Sequence, residues 1–404
     1  MKKMGFRGSF FIIPIIILIA VFSVWPVVQS FTYTFFDYQL NDRTKAGLYL
    51  NERFNVELYN ESSTYVNLFL KRDMPNITDP EDVAKVEKLL ARLDQLDKEF
   101  EDKSGVVNIN EEVKNKVELI YEDARELVAA LSEKYELQTE QNLPKIVNDI
   151  DRSMIESNFV GLENYKKAFQ DDFVWVALKN TLVFTFSSVA LELVLGLGMA
   201  MIMNKSMRGQ GFIRTSSLIP WAIPTAVAAL MWSYLYDGTA GIVAQMFASI
   251  GLINEPTDLL LTSGGAMTAA ILADVWKTTP YMALLLLAGL QTIPKSLYEA
   301  GAIDGADKAQ QFFRITLPLL KPAILVALLF RTLDAFRVFD LIYVLTGGGP
   351  GGSTETLSIY SYKVMFAQTN FGYGSVIVMI MFVCVAIIAT VYVKILGANV
   401  MEKN

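Results

Sequence analysis

Long apolar stretches alternate with polar connections along most of the chain. Six of these stretches hold about 20 or more mostly apolar residues, which is the length an α-helix needs to cross the hydrocarbon core of a bilayer. In chain order they are Phe10–Ser30, Val174–Met203, Phe212–Tyr236, Ala266–Leu290, Leu317–Leu345 and Gly374–Leu396. The pattern predicts an all-α membrane protein with six transmembrane helices.

A different pattern fills the long connection between the first two stretches. Within residues 79–138, apolar positions recur in steps of three and four on both sides of Gly105. Asp79 and Asn110 stand where helix N-caps are expected. Two such helices joined by a short turn predict an antiparallel helical hairpin. The hairpin is either a rigid spacer or lid, or a docking surface for an external partner.

The composition separates this connection from the rest of the chain. The 404 residues are 52% hydrophobic, which is too apolar for an ordinary soluble protein. Residues 37–173 hold 30 acidic and 18 basic residues, whereas the remainder holds 12 and 17. We therefore predict one acidic, water-soluble insert in a basic membrane protein. The predicted regions are an N-terminus with the first span at 1–36, the insert at 37–158 and a membrane core with five spans at 159–404.

The basic residues predict the orientation, because Lys and Arg concentrate in cytoplasmic connections. They lie before the first stretch, around the second and fourth connections and at the C-terminus, as Lys2, Lys3, Arg7, Lys205, Arg208, Arg214, Lys295, Lys308, Arg314, Lys321, Lys394 and Lys403. In contrast, residues 237–265 contain no Lys or Arg, and residues 346–373 contain only Lys363. Both chain ends are therefore predicted to be cytoplasmic, and the acidic insert external.

The composition also excludes several kinds of site. The chain has no His and a single Cys, Cys384, so neither an internal disulfide nor a Cys/His metal site is expected. The glycine-rich run at 345–354 lacks the Gly-Lys-Ser/Thr ending of a phosphate-binding loop. We find no nucleophile–base arrangement and no sign of nucleic-acid binding. The chain is expected to bind no cofactor or metal and to have no enzymatic activity of its own.

The connection at 291–322 is more ordered than a simple loop between two spans. Glu299, Ala300 and Gly301 lie on a short predicted helix, whose small residues let a partner protein approach closely. Gly305 then permits a sharp turn that a residue with a Cβ resists. The alternative is an amphipathic loop that lies on the membrane surface.

These residues resemble the EAA loop of bacterial ABC importer permeases. The resemblance rests on Glu299, Ala300 and Gly301, on Gly305, and on the sequence ITLP at 315–318. Gly301 stands where the family usually has Ala, which is a mild departure. In the family this loop sits in a cleft of a cytoplasmic ATPase subunit. The resemblance therefore implies ATPase-coupling roles for Glu299, Ala300, Gly301, Asp304 and Gly305.

Other segments resemble the carbohydrate importers within this family. They are FVGLENYKKAF at 159–169 and FDLIYVLTGGGPGGSTETL at 339–357, and the similarity covers about residues 159–390. These segments are similar to the larger permease subunit of the maltose transporter, although a helical insert differs from the mostly sheet-like domain expected there. The resemblance implies a second permease subunit in a heterodimer, two cytoplasmic ATPase subunits that use ATP–Mg, an external sugar-binding protein, and a multi-pass location in a bacterial or archaeal cytoplasmic membrane.

Ionisable residues inside the predicted spans are candidates for solute contacts, because each costs about 2.5–3.5 kcal/mol at the centre of a bilayer. Asp274, Lys277 and Tyr281 share one face of the fourth stretch. Arg331 and Asp334 lie near the middle of the fifth stretch. The charges either line a polar cavity for a hydroxyl-rich solute or pair with one another between spans.

The resemblance extends this set of candidates. In maltose-type permeases the sugar contacts come from these two spans, and Tyr281, Asp334 and Val338 fall on matching positions. The predicted substrate-binding residues are Asp274, Lys277, Tyr281, Arg331, Asp334 and Val338. Glu192 is instead expected to form bonds between helices. On a straight helix Arg331 and Asp340 face opposite sides, so both reach one cavity only if the outer end bends or unwinds.

The predicted function is that of a permease subunit in an ATP-driven, binding-protein-dependent oligosaccharide importer. A membrane sensor with an external coiled coil is one alternative. It predicts a large cytoplasmic signalling domain, whereas only about eight residues follow the last stretch. An ion-coupled secondary transporter that uses Asp274 and Asp334 as relays is the other alternative, and it predicts inverted repeats that the two halves do not display.

Overall fold

The computed structural model describes residues 6–205 and 208–401, and it describes side-chain environments for residues 13–205 and 208–395. Lys2, Lys3 and Lys403, which contribute to the predicted orientation, lie outside the described residues, as does the side chain of Arg7. The chain divides into two compact units, a membrane unit (residues 1–31, 165–368 and 373–404) and an insert unit (residues 32–164 and 369–372).

Five helices of the described chain are long and apolar enough to cross a membrane. We number them after the predicted stretches as span 1, span 2, span 4, span 5 and span 6, at Ile13–Tyr33, Asp172–Asn204, Ser263–Leu290, Lys308–Phe336 and Phe371–Ile395. A sixth crossing is present if the two bent helices Gln210–Ala222 and Thr225–Leu235, here called the bent pair, form one broken span. The prediction of a helical, multi-pass membrane protein is confirmed at this level.

The single helix expected over Phe212–Tyr236 is broken, with an angle of 87° between the two halves of the bent pair. Ile223 adopts an extended conformation (φ −70°, ψ 132°) where the first half ends. The next residue is Pro224, and a residue that precedes proline is sterically disfavoured in the α conformation. The proline therefore accounts for the break.

Span 5 differs from the predicted Leu317–Leu345 helix at both ends. It begins at Lys308 and runs through a π-helical turn at Phe312–Thr316 into the helix Leu317–Phe336. The chain then unwinds, and a separate short helix follows at Asp340–Leu345. The prediction that Arg331 and Asp334 lie near the middle of the span is wrong, because the helix ends at Phe336 and both residues lie in its last turns.

Close approaches to span 4 hold the membrane unit together, and span 4 is the most buried of the spans. A Cβ atom on Gly196 of span 2 would lie 2.8 Å from Cγ of Met282, so the missing side chain lets spans 2 and 4 touch. A Cβ atom on Gly289 of span 4 would clash with the Cβ of Ala323 on span 5. Spans 2 and 5 therefore pack on span 4 at glycine positions.

Shorter helices complete the membrane unit. Span 1 continues a helix that starts at Phe6 and consists of Phe6–Ile19, a π-helical turn at Ala20–Val24 and Trp25–Tyr33. The remaining helices are Glu163–Gln170, Ile242–Ser249, Asp258–Leu261, Lys295–Ile303 and Leu357–Tyr362, the last extended by a π-helical turn at Lys363–Ala367.

The insert unit holds the predicted hairpin and additional elements. The hairpin helices are Pro80–Glu99 and Glu111–Lys134, and the side chains of Asp79 and Asn110 cap them by accepting bonds from the backbone N–H groups of Glu81 and Val113. The prediction of both capped helices is confirmed. Two more helices, Val56–Asp73 and Leu143–Arg152, accompany them, so the unit is a four-helix structure rather than a hairpin alone.

A small antiparallel sheet completes the insert unit. The strand Arg53–Asn55 lies between Val106–Asn108 and Met154–Ile155. Phe54 on the central strand is fully buried, and its ring centroid lies 4.7 Å from that of Phe100 and 5.2 Å from that of Tyr59. Strands of two or three residues are too short to show a periodicity, which explains why the sequence pattern did not reveal them.

Candidate functional site

Arg331 of span 5 binds carboxylates from three spans. Its Nε and Nη2 atoms donate to the two carboxylate oxygens of Glu192 on span 2, at 2.5 and 2.7 Å. Nη2 also donates to Asp274 of span 4 at 3.1 Å, and Nη1 donates to Asp334 of span 5 at 2.7 Å. We call these four residues the charge cluster. A paired fork of this kind fixes the plane of the guanidinium group.

Most of the charge cluster is buried. Glu192, Arg331 and Asp274 are 0%, 1% and 7% exposed, whereas the side chain of Asp334 is 68% exposed. Thr278 supports Glu192 by donating from its hydroxyl to Oε1 at 2.7 Å. Buried charges are tolerated only when they are paired and hydrogen-bonded. The charge cluster therefore joins spans 2, 4 and 5 and presents one carboxylate, that of Asp334, at its exposed side.

Lys277 and Tyr281 contact the bent pair. The Lys277 ammonium donates to the backbone carbonyls of Trp221 and Ile223, at 3.2 and 2.8 Å. The Tyr281 ring stacks on Trp221 with a centroid distance of 5.5 Å and an angle of 11° between the ring planes. Carbonyl groups at a helix end lack partners within the helix. Lys277 supplies that partner and so stabilises the break before Pro224.

The six predicted substrate-binding residues thus fall into different environments. Asp274, Arg331 and Asp334 meet in the charge cluster, whereas Lys277 and Tyr281 hold the bent pair. Val338 is partly buried and follows span 5, beyond its last turn. Glu192 makes the interhelical bonds expected of it, but sequence reasoning did not identify Arg331 as its partner. The sequence shows that Glu192 is an acidic residue within an apolar span. That pattern predicts a buried partner but does not indicate which basic residue it is.

The predicted coupling loop forms a fixed turn, which we call the knuckle (residues 295–311). The helix Lys295–Ile303 is terminated by Asp304 and then Gly305, whose φ of +81° suits a residue without a Cβ. The backbone N–H of Ala306 donates to the carbonyl of Gly301 at 2.8 Å, and that of Gly305 donates to Ala302 at 3.1 Å. This is the Schellman pattern of helix termination, and it fixes the path of the chain toward span 5.

The next helical turn is capped from both directions. The Asp307 side chain accepts from the N–H of Gln310 at 2.7 Å, and the Gln310 side chain accepts from the N–H of Asp307 at 3.1 Å. The Tyr298 hydroxyl lies 3.0 Å from that of Thr316 in span 5. A capping box and a bond to the span make the knuckle an extension of span 5 rather than a loose loop.

The exposed residues of the knuckle form one surface. Glu299, Ala300, Asp304 and Gly305 are exposed, and Ile303 between them is 87% exposed. Gly301 differs from the other predicted coupling residues, because it is partly buried and a Cβ there would lie 3.1 Å from Cδ1 of Ile315. Its small size serves packing against span 5. Ile303 is a surface residue that sequence reasoning did not single out.

The spans, the charge cluster and the exposed knuckle define the chain as a helical, multi-pass membrane protein with charges buried between its spans. A family model described as "Binding-protein-dependent transport system inner membrane component" matches residues 192–401, slightly more than half of the chain. The chain belongs to this family of membrane transport permeases. The match includes the whole charge cluster and the knuckle.

Curated relatives agree with this assignment. The chain is 46% identical over 240 residues to the trehalose/maltose transport system permease protein MalF of Thermococcus litoralis, covering 59% of this chain and 80% of that protein. It is 44% identical over 243 residues to the trehalose transport system permease protein SugA of Mycobacterium tuberculosis, covering 60% and 76%. It is 41% identical over 244 residues to the sulfoquinovosyl glycerol transport system permease protein SmoG of Agrobacterium fabrum, covering 60% and 79%.

A solved structure supports the fold. A chain of a bacterial ABC transporter involved in the import of the acidic polysaccharide alginate matches with a TM-score of 0.53 and 22% identity, over 59% of this chain and 84% of that chain. At this identity the match concerns the fold alone. It agrees with the helical permease architecture of the membrane unit.

Proposed function

We propose that this chain forms, together with a second permease subunit, the translocation pathway of an ATP-driven importer for oligosaccharides. Two cytoplasmic ATPase subunits use ATP–Mg, and an external binding protein delivers the sugar. The complex lies in a bacterial or archaeal cytoplasmic membrane. Both ends of this chain are cytoplasmic, and its insert unit is external. The chain moves the solute and makes or breaks no bond in it.

The exposed carboxylate of Asp334 in the last turns of a membrane span is the observation that carries the sugar proposal. Ionisable side chains within membrane spans are rare and almost always face the interior of the helix bundle or a water-filled cavity, where they meet a partner. Carboxylate oxygens accept hydrogen bonds, and sugar hydroxyls donate them. The relatives named for trehalose and maltose transport support the same class of solute.

The knuckle supports the proposed coupling to an ATPase. Its exposed surface around Glu299 offers a carboxylate to a cation of the ATPase subunit, and Ile303 offers an apolar side chain to the cleft. Span 5 then runs as one helix from Lys308 to Phe336. At 1.5 Å per residue, this helix carries a push on the knuckle over about 40 Å to the end that holds Asp334. ATP binding would thereby alter the solute-facing end and alternate its access.

Transport by the reconstituted complex tests this proposal. Both permease subunits and the ATPase subunits are placed in liposomes with internal ATP, and uptake of radiolabelled trehalose is measured in the presence of the external binding protein. We expect ATP-dependent uptake that Asp334→Asn lowers at least tenfold, because the amide replaces an acceptor oxygen and removes the charge. Asp340→Asn, at the next exposed aspartate, serves as the matched control. Uptake without ATP or without the binding protein would contradict the proposal.

A further inference from the structure

Within the charge cluster, Glu192 fixes the orientation of the Arg331 guanidinium group. Its side chain is fully buried, and both of its oxygens bind Arg331. The Thr278 hydroxyl lies 2.7 Å from one of these oxygens and 2.6 Å from the backbone carbonyl oxygen of Asp274, so its single hydrogen is shared between the two acceptors. The two bonds to Glu192 therefore fix the plane of the guanidinium group relative to span 2. A further bond to Asp274 links the group to span 4. Rotation of Arg331 would break several charge-assisted bonds at once.

The orientation of Arg331 determines where Asp334 points. The fork to Glu192 uses Nε and Nη2, which leaves Nη1 on the opposite edge of the guanidinium group. Nη1 donates to Oδ2 of Asp334 at 2.7 Å, while the side chain of Asp334 stays 68% exposed. The carboxylate is thus held by one oxygen at the exposed edge of a buried cluster.

Glu192 also affects how strongly the positive charge of Arg331 attracts the carboxylate of Asp334. The negative charge of Glu192 compensates the guanidinium group within the protein interior, where screening by water is weak. With a neutral residue at 192, the guanidinium group would keep only its 3.1 Å contact to Asp274 on the buried side and would draw Asp334 inward, away from its exposed position. Position and charge balance at Asp334 therefore both depend on a residue 142 positions earlier in the chain.

We propose that Glu192 is a positioning residue that fixes Arg331 so that Asp334 presents its carboxylate to the transported sugar. This inference rests on the proposed function. Glu192 itself is fully buried and does not touch the solute. Its effect on sugar binding passes through Arg331 and Asp334, so the effects of changing Glu192 and Asp334 must be coupled rather than additive.

A double-mutant cycle tests the proposal. The dissociation constants of radiolabelled trehalose and maltose are measured on the purified complex of permease and ATPase subunits in nanodiscs. We expect Glu192→Gln and Asp334→Asn each to raise the dissociation constant about tenfold, and the double variant to show no further increase. Glu255→Gln, an exposed glutamate of the same unit, is the matched control and should leave the constant unchanged.

Three outcomes would overturn the proposal. In the first, Glu192→Gln weakens binding by the same factor whether Asp334 is present or replaced. In the second, it lowers only the yield or thermal stability and leaves the dissociation constant unchanged. If the glutamine variant does not fold, Glu192→Asp, which keeps the charge, takes its place, and we expect it to raise the dissociation constant about threefold. An unchanged dissociation constant for Glu192→Asp is the third outcome that would overturn the proposal. Failure of the wild-type complex to bind either sugar would instead refute the proposed sugar class, and this inference with it.

Discussion

The carboxylate of Glu192 and the guanidinium group of Arg331 meet through two parallel hydrogen bonds of 2.5 and 2.7 Å, although the two residues are 139 positions apart in the chain. Both side chains are almost fully buried. Removing one partner of such a pair is more damaging than exchanging both for apolar residues, because the remaining charge stays buried without compensation. This asymmetry leads to the first prediction.

Replacing Arg331 by methionine should destabilise the membrane unit by about 3–5 kcal/mol, since Glu192 and Asp274 would keep their buried carboxylates without the counter-charge. Arg331→Lys should be less damaging, because a lysine keeps the charge but cannot reproduce the fork. Arg337→Met, at an exposed arginine just beyond span 5, is the control and should change stability by less than about 0.5 kcal/mol. Thermal unfolding in detergent measures all three, and equal midpoints for Arg331→Met and the control would contradict the prediction.

Glu299→Ala should uncouple the knuckle from its ATPase partner without unfolding it. The Glu299 side chain is exposed, and the backbone bonds that shape the knuckle do not involve it. We expect sugar-stimulated ATP hydrolysis to fall at least fivefold, while the thermal midpoint of the complex stays the same. Lys295→Ala, at an exposed residue in the first turn of the same helix, is the comparison. Full retention of hydrolysis by the Glu299 variant would argue against a role in coupling.

Gly289→Val should destabilise the packing of span 5 on span 4. A Cβ atom at this position would clash with Ala323, and neither backbone can retreat without separating the two spans. Overpacking of this kind costs about 1–3 kcal/mol. Gly198→Val provides the matched control, because a Cβ there meets no atom within 4 Å. The two variants differ only in available space, so indistinguishable unfolding midpoints would refute the steric explanation.

The hairpin of the insert unit should lose stability in acid. The hydrogen bond from Lys134 lowers the pKa of Asp82 to about 2, and the same ammonium group lowers the pKa of Asp79. A carboxyl group whose pKa is lower in the folded state stabilises the fold above its unfolded pKa of about 3.9. That stabilisation is lost as the pH falls from about 4 to about 2.

Hydrogen exchange of residues 80–134 in the full chain measures this effect. Protection should decline between pH 4 and pH 2, and Lys134→Met should remove most of that decline by abolishing the bond at neutral pH. Asp97 acts in the opposite sense, since burial raises its pKa, so the comparison with the Lys134 variant isolates the contribution of Lys134. Lys88→Met, at an exposed lysine of the same hairpin, should keep the wild-type profile.

Local signals in the sequence were sufficient for several elements. The caps at Asp79 and Asn110 and the turn at Gly305 each depend on one residue and its immediate neighbours, so a short stretch of sequence contains the whole cause. Pro224 also carried a readable signal for the break in the bent pair. The apolar composition on both sides of it concealed the break, because hydropathy measures length and not continuity.

Contacts between residues of different spans could not be predicted from local sequence patterns. The spacing of Asp274, Lys277 and Tyr281 correctly indicates one helical face, but the partners of that face come from other spans. Lys277 meets backbone carbonyls rather than a carboxylate, and Arg331 meets Glu192. These contacts depend on how the spans pack, and that packing depends in part on single glycines such as Gly196 and Gly289.

The exposed side chain of Ile303 affects newly synthesised chains that have not yet assembled with their partners. An isoleucine that is 87% exposed at the tip of the knuckle is unfavourable in water. In the proposed complex a neighbouring subunit covers this tip, whereas a subunit made in excess leaves it bare. Balanced synthesis of all subunits would then keep this apolar tip covered, and copies made in excess would be targets for chaperones and proteases.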